Sequence, residues 1–125
     1  MIANGSVPRK IILFRLRGRF DHPYTTIDAE QTVTVGTITV RAIPTPGHTP
    51  GSTSYLVNEE MLITGDLLML RRGRCRPMPR FLCNSPTEDK RSIRELAQRV
   101  RSVGVLCTAH SGYTTDYEYA MAEHR

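Results

Sequence analysis

Thr45-Pro46-Gly47-His48-Thr49-Pro50-Gly51-Ser52 is the stretch that decides the fold, and two shorter ones answer it downstream, Thr64-Gly65-Asp66 and Thr108-Ala109-His110. His48 stands between two Pro-Gly pairs. Proline fixes φ and glycine admits positive φ, so the loop is stiff in one part and tightly turned in another. A metal ligand needs such stiffness, because the imidazole must arrive at a fixed place without a large entropy loss. A histidine in a Pro/Gly loop with no companions would be read as a surface residue. Asp66 follows the apolar Met61-Leu62-Ile63 and Gly65. A carboxylate at the end of a buried strand must be compensated, and its two oxygens can bridge two cations; the plainer alternative is an Asp that caps a turn. His110 follows Val105–Thr108 and precedes Ser111-Gly112, so it too is a strand-end histidine beside glycine.

The gaps between these residues suit the same arrangement. The first has room for one hairpin and the second for a loop plus a helix, which brings three strand ends to one rim of a sheet. Alternating Thr32–Val35 and Thr37–Ile43 predict a hairpin turning at Gly36. Strands are expected at Lys10–Leu16, Thr53–Val57, Met61–Ile63 and Val105–Thr108, with loops over residues 18–29 and 70–84. A helix is expected over 86–103. Ser85 is its N-cap, Pro86 its first residue, Glu88 the partner in a capping box, and Gly104 its left-handed stop. Ile93, Leu96, Ala97 and Val100 form its apolar stripe. A last helix is expected near Asp116–His124.

Taken together over about residues 32–112, these motifs resemble the second half of a metallo-β-lactamase-fold hydrolase, in the group similar to glyoxalase II. The resemblance implies an α/β (α+β) fold: half of an αββα sandwich, with a mixed β-sheet covered by helices on one face. It implies that His48 binds a first metal, that Asp66 bridges both and orients the attacking water as the catalytic carboxylate, and that His110 binds the second. Zinc is the implied cofactor, two ions in a complete site and one or none here, with iron or manganese as alternatives. Thr49, Ser52, Thr64 and Ser111 are candidate donors behind the ligands, or ordinary turn residues. Many true β-lactamases of this fold carry cysteine where this chain has Asp66, which points toward ester and thioester substrates.

Such hydrolases also carry an H-x-H-x-D-H block that supplies about half of the ligands. Arg17-Gly18-Arg19-Phe20-Asp21-His22 has its outline, but with arginine at both early histidine positions. Guanidinium has no lone pair to donate. The expectation is weak, partial metal binding by the isolated chain and a bare apolar sheet face, covered by a homodimer or by a complementing N-terminal half. Two other readings keep the half-fold. One is a mononuclear iron enzyme resembling persulfide dioxygenases, on the pattern Leu67–Arg74, and the other is a non-catalytic interaction protein.

Composition sets the outer bounds. The 125 residues make one domain, 1–125, and 39% apolar with 23% charged residues fits an ordinary globular protein. No apolar run is long enough to span a bilayer, and Met1–Ser6 has no signal-peptide character; the expected compartment is the cytoplasm. Of a net charge of +5, five cations fall within Arg71–Arg80. That patch is read first as a solvated loop, with binding of nucleic acid or steering of an anionic substrate as the alternatives; it lacks the interleaved rings that stack bases, since Phe81 is the one ring nearby. Cys75, Cys83 and Cys107 form no C-x-x-C pair, so no disulfide framework is expected; Cys107 is expected as a small buried hydrophobe.

Overall fold

Gly36, at φ 60°, opens a two-residue turn that pairs β1 (Gln31–Val35) with β2 (Ile38–Pro44) antiparallel, Val35 opposite Ile38. The computed structural model describes residues 21–125, so the strand expected at Lys10–Leu16 and the segment Arg17–Phe20 lie outside the described residues. The chain continues through β3 (Thr53–Val57), β4 (Met61–Ile63), β5 (Leu68–Arg71), β6 (Arg74–Pro77), α1 (Pro86–Arg99), β7 (Val105–Cys107), β8 (Tyr113–Thr114) and α2 (Tyr117–Met121). Six strands form one mixed sheet in the order β1-β2-β3-β4-β7-β8. Only the β4–β7 pair within it is parallel. A parallel pair needs a crossover, and the β5–β6 hairpin with α1 supplies it.

Period-two alternation divides the sheet into two unlike faces. Ile43, Leu56, Leu62 and Leu106 share one face and are buried, as are Ile93, Leu96 and Ala97 on α1. The opposite face carries Val33, Val35, Ile38, Met61, Ile63 and Tyr113 in register, all between 37% and 71% exposed. Contiguous apolar surface of this kind marks an interface. Among the described residues one face is packed by helices and the other is largely exposed, which is the half-sandwich arrangement.

The helix signals hold at one end and fail at the other. Ser85 Oγ accepts the Glu88 backbone N–H at 3.3 Å, and Pro86 opens α1. The helix ends at Arg99, four residues short of the expected 103. Val100 turns to extended geometry, and both Val100 and Val103 are buried along the exit path. Gly104 is therefore no left-handed stop. Its N–H donates to the Glu60 carbonyl at 2.9 Å, and a Cβ there would lie 3.0 Å from Glu60 Oε1. The glycine thus passes close beneath the β3–β4 turn, against the Glu60 side chain. In α2, Asp116 caps the first turn by accepting from the Tyr119 N–H, and the buried Tyr117 hydroxyl donates to the Val100 carbonyl at 2.6 Å.

The expected loop over 70–84 is instead largely a hairpin. Arg72 and Gly73, at φ 53° and 75°, close β5 onto β6, as a type I′ turn requires. Arginines alternating with Leu, Cys and Pro hide the strand pattern, because charged residues and proline are poor strand formers. Cys75 and Cys83 are buried, and burial pushes both thiols up to about 11. Cys107 is only half-buried, less than expected. Among the described residues no helix is long and apolar enough to cross a membrane.

Candidate metal centre

The His48 loop is fastened from both sides. Within it, the Thr45 N–H donates to the Ser52 carbonyl at 2.9 Å, and the buried Thr45 and Ser54 hydroxyls lie 3.0 Å apart. From outside, the N–H groups of Asn84 and Ser85 donate to the His48 and Gly47 carbonyls, and Ser92 Oγ donates to the Pro46 carbonyl at 2.7 Å. The start of α1 thus fixes the backbone that carries the imidazole. Gly47 sits at φ 150°, and a Cβ there would lie 2.2 Å from Asp89 Cα. No side chain fits.

Asp66 and His110 are brought together by the ends of two paired strands. Gly65, at φ 58°, turns the chain out of β4 into a single 3-10 turn, Gly65–Leu67. Leu67 and Leu68 are fully buried and anchor the turn, while the Asp66 side chain stays one-third exposed. The Thr64 N–H and Oγ1 both donate to the Cys107 carbonyl, and the Ala109 N–H donates to the Gly65 carbonyl at 3.2 Å. The end of β4 is thereby tied to the end of β7.

The result is a meeting of the three motif residues around one carboxylate. His110 Nε2 lies 3.1 Å from Asp66 Oδ1, and His48 Nε2 lies 3.8 Å from Asp66 Oδ2. Donors around one tetrahedral ion at roughly 2.0–2.2 Å sit about 3.4 Å from one another, so these separations have the scale of a shared cation. Two imidazole nitrogens and a carboxylate are also suitable donors for zinc, iron or manganese. His48 Nδ1 is buried without a hydrogen-bond partner among the described residues. As they stand, these three do not close to a metal-binding arrangement: among the described residues no group of three or more His, Cys, Asp and Glu side chains is placed to hold a metal ion. His110 is the open corner, with 78% of its side chain exposed.

Of the four candidate supporting residues, Thr49, Ser52 and the Ser111 backbone bond within their own turns, and Thr64 reaches across to β7. Thr49 Oγ1 and Ser52 Oγ lie 2.9 Å apart, Thr64 holds the Cys107 carbonyl, and the Ser111 N–H donates to Thr108 Oγ1 at 3.0 Å. They shape the loops and strand ends that carry His48, Asp66 and His110. Asp21 and His22 are exposed, in a stretch without helix or strand.

Sequence reasoning missed Asp89, which lies against Gly47 at the base of this loop. It is 1% exposed, and neither carboxylate oxygen reaches hydrogen-bond geometry with a described residue. Burial pushes its pKa up to about 6, with the His48 backbone pulling slightly the other way. The folded state therefore holds this proton more tightly than the unfolded chain. Its contribution favours the fold below about pH 4 and is lost as pH rises through about 6. Asp89→Asn is expected to improve relative to the parent by up to about 3 kcal/mol between pH 4 and pH 7, read from urea unfolding at each pH. A difference that stays flat with pH would show that this carboxyl is not the group responsible. The one signal in the sequence was the glycine before His48.

No family model and no curated protein sequence matches this chain, whereas solved structures do. A metallo-β-lactamase from Pontibacter korlensis aligns at TM-score 0.66 and 16% identity, over 86% of this chain and 47% of its own. An archaeal metallo-β-lactamase superfamily protein from Sulfolobus tokodaii gives TM-score 0.58 and 23% identity, over 78% and 36%. The B3 metallo-β-lactamase BLEG-1 gives TM-score 0.54 and 29% identity, over 76% and 43%. The chain spans less than half the length of each of these structures. With the described sheet packed by helices on one face, these likenesses identify its architecture as about one half of the metallo-β-lactamase fold.

Proposed function

We propose that this half-fold contributes to a metal-dependent hydrolase, in which a metal-activated water attacks a small ester- or thioester-like substrate. The observation that carries the reading is the convergence of His48 and His110 on the two oxygens of Asp66. His48, Asp66 and His110 would hold the ion, with zinc the first choice and iron or manganese the alternatives. A bound zinc supplies Lewis acidity and brings the pKa of a coordinated water toward neutrality. Asp66, a third exposed at the rim, is placed to accept a hydrogen bond from that water and aim it. His48 is held rigidly by the α1 contacts, while His110 faces solvent, where substrate and further ligands arrive.

Three protein donors are fewer than a two-metal site requires, and the bare sheet face offers the means of completion. In this reading a second β-layer packs on Val33, Val35, Ile38, Met61 and Ile63 and brings the remaining ligands. It comes from another copy of the chain or from a complementing N-terminal half.

The test is metal analysis after dialysis, run beside a thioester hydrolysis assay across protein concentrations. Less than one tightly held zinc per monomer is expected, with zinc-dependent hydrolysis rising as the bare face becomes covered. Stoichiometric, tightly held metal in the monomer contradicts the incomplete site. An absence of metal-dependent hydrolysis from both the monomer and the associated form contradicts the hydrolase.

A further inference from the structure

A second concave site lies on the β5–β6 hairpin, where Arg71, Arg72, Arg74, Arg76 and Tyr119 line a cavity of about 460 Å³. That volume falls within the range of small-molecule sites. The guanidiniums are arranged rather than scattered. Arg74 stacks on the Tyr119 ring, 4.1 Å from its centroid, and Glu123 pairs with Arg76 and, at 3.7 Å, with Arg74. The ring is seated under the hairpin turn, where a Cβ on Gly73 would lie 3.4 Å from it. Arg71 and Arg72 are exposed and form no ion pair among the described residues. Among the described residues one carboxylate, Glu123, pairs with two of the four cations and leaves Arg71 and Arg72 without an ion pair.

The turn itself favours other residues at this place. Arg72 sits at φ 53°, where asparagine or glycine is the low-energy choice. A long cationic side chain in a left-handed position at the mouth of a basic cavity is a local cost. Held backbone strain of this kind concentrates at ligand sites.

We propose that this pocket binds a small anion carrying two linked phosphate groups, with Arg71 and Arg72 gripping it and Arg74 and Arg76 held in place by Tyr119 and Glu123. Planar guanidinium forks match phosphate oxygens two at a time, and four of them exceed what one monoanion can use. A nucleic-acid strand fits less well. The cavity is local rather than a track, and it offers a single ring for stacking.

Calorimetric titration of the full chain with inorganic pyrophosphate tests this, and no metal is needed, so the outcome is independent of the hydrolase reading. Saturable one-to-one binding is expected, tighter than for orthophosphate. The double variant Arg71→Gln/Arg72→Asn should weaken it by about tenfold or more, with the thermal transition unchanged because asparagine suits the turn. Glu123→Gln, which removes the competing carboxylate, should tighten it. Arg94→Gln, an exposed arginine on α1, should leave it unaltered. No saturable binding at millimolar pyrophosphate, or equal weakening by Arg94→Gln, overturns the proposal. So does preferential binding of a single-stranded DNA oligonucleotide with a steep salt dependence.

Discussion

Gly47→Ala is expected to destabilise the chain by about 3 kcal/mol or more, the largest loss expected from a methyl added at any described glycine. Two independent causes add. At φ 150° the backbone is in a region that L residues avoid, and the new Cβ would meet Asp89 Cα at 2.2 Å and Asp89 N at 2.4 Å. Those are main-chain atoms of α1, so no rotamer change relieves the overlap. Either the helix or the His48 loop must move, and the bonds from Asn84, Ser85 and Ser92 resist the second. Thermal unfolding should show a fall of about 10 °C or more. A change under about 1 kcal/mol would mean that the loop and helix do not press together as described.

Asp66→Ala is expected to leave stability nearly untouched while lowering zinc affinity by about a hundredfold or more. The carboxylate is one-third exposed, and both of its oxygens face imidazoles rather than the core. Removing it deletes the carboxylate that lies within 3.8 Å of both histidines. Residues that merely support a ligand are worth 10–100-fold in affinity, so a direct ligand should fall at or beyond that range. Competition titration against a zinc chelator gives the affinity, and urea unfolding of the metal-free protein gives the stability. Equal zinc affinity in parent and variant would remove Asp66 from the site. A large loss of metal-free stability would make it a structural residue.

The contrast between these residues shows what the sequence makes legible. The Gly36 hairpin, β3, β4 and the Ile93/Leu96/Ala97 stripe follow from periodicity, because each buries one face and its spacing records which. His48, Asp66 and His110 share a visible grammar, a strand end beside glycine, and the structure brings them together as that grammar suggests. The β5–β6 hairpin was hidden because its arginines serve charge rather than strand propensity. The end of α1 was hidden because Gly104 answers to Glu60, more than forty residues earlier in the chain. Asp89 could not be foreseen, since its burial depends on a glycine pressed against it from another element. Local patterns were readable; close approaches between distant segments were not.

X-ray absorption at the zinc edge, on the zinc-loaded chain and on His48→Ala and His110→Ala, tests the central claim most directly. Two imidazole nitrogens at about 2.0–2.1 Å with carboxylate or water oxygen at about 2.0–2.2 Å are expected in the parent, and one imidazole fewer in each variant. Sulfur scattering at about 2.3 Å, or an imidazole count that survives both substitutions, would contradict it.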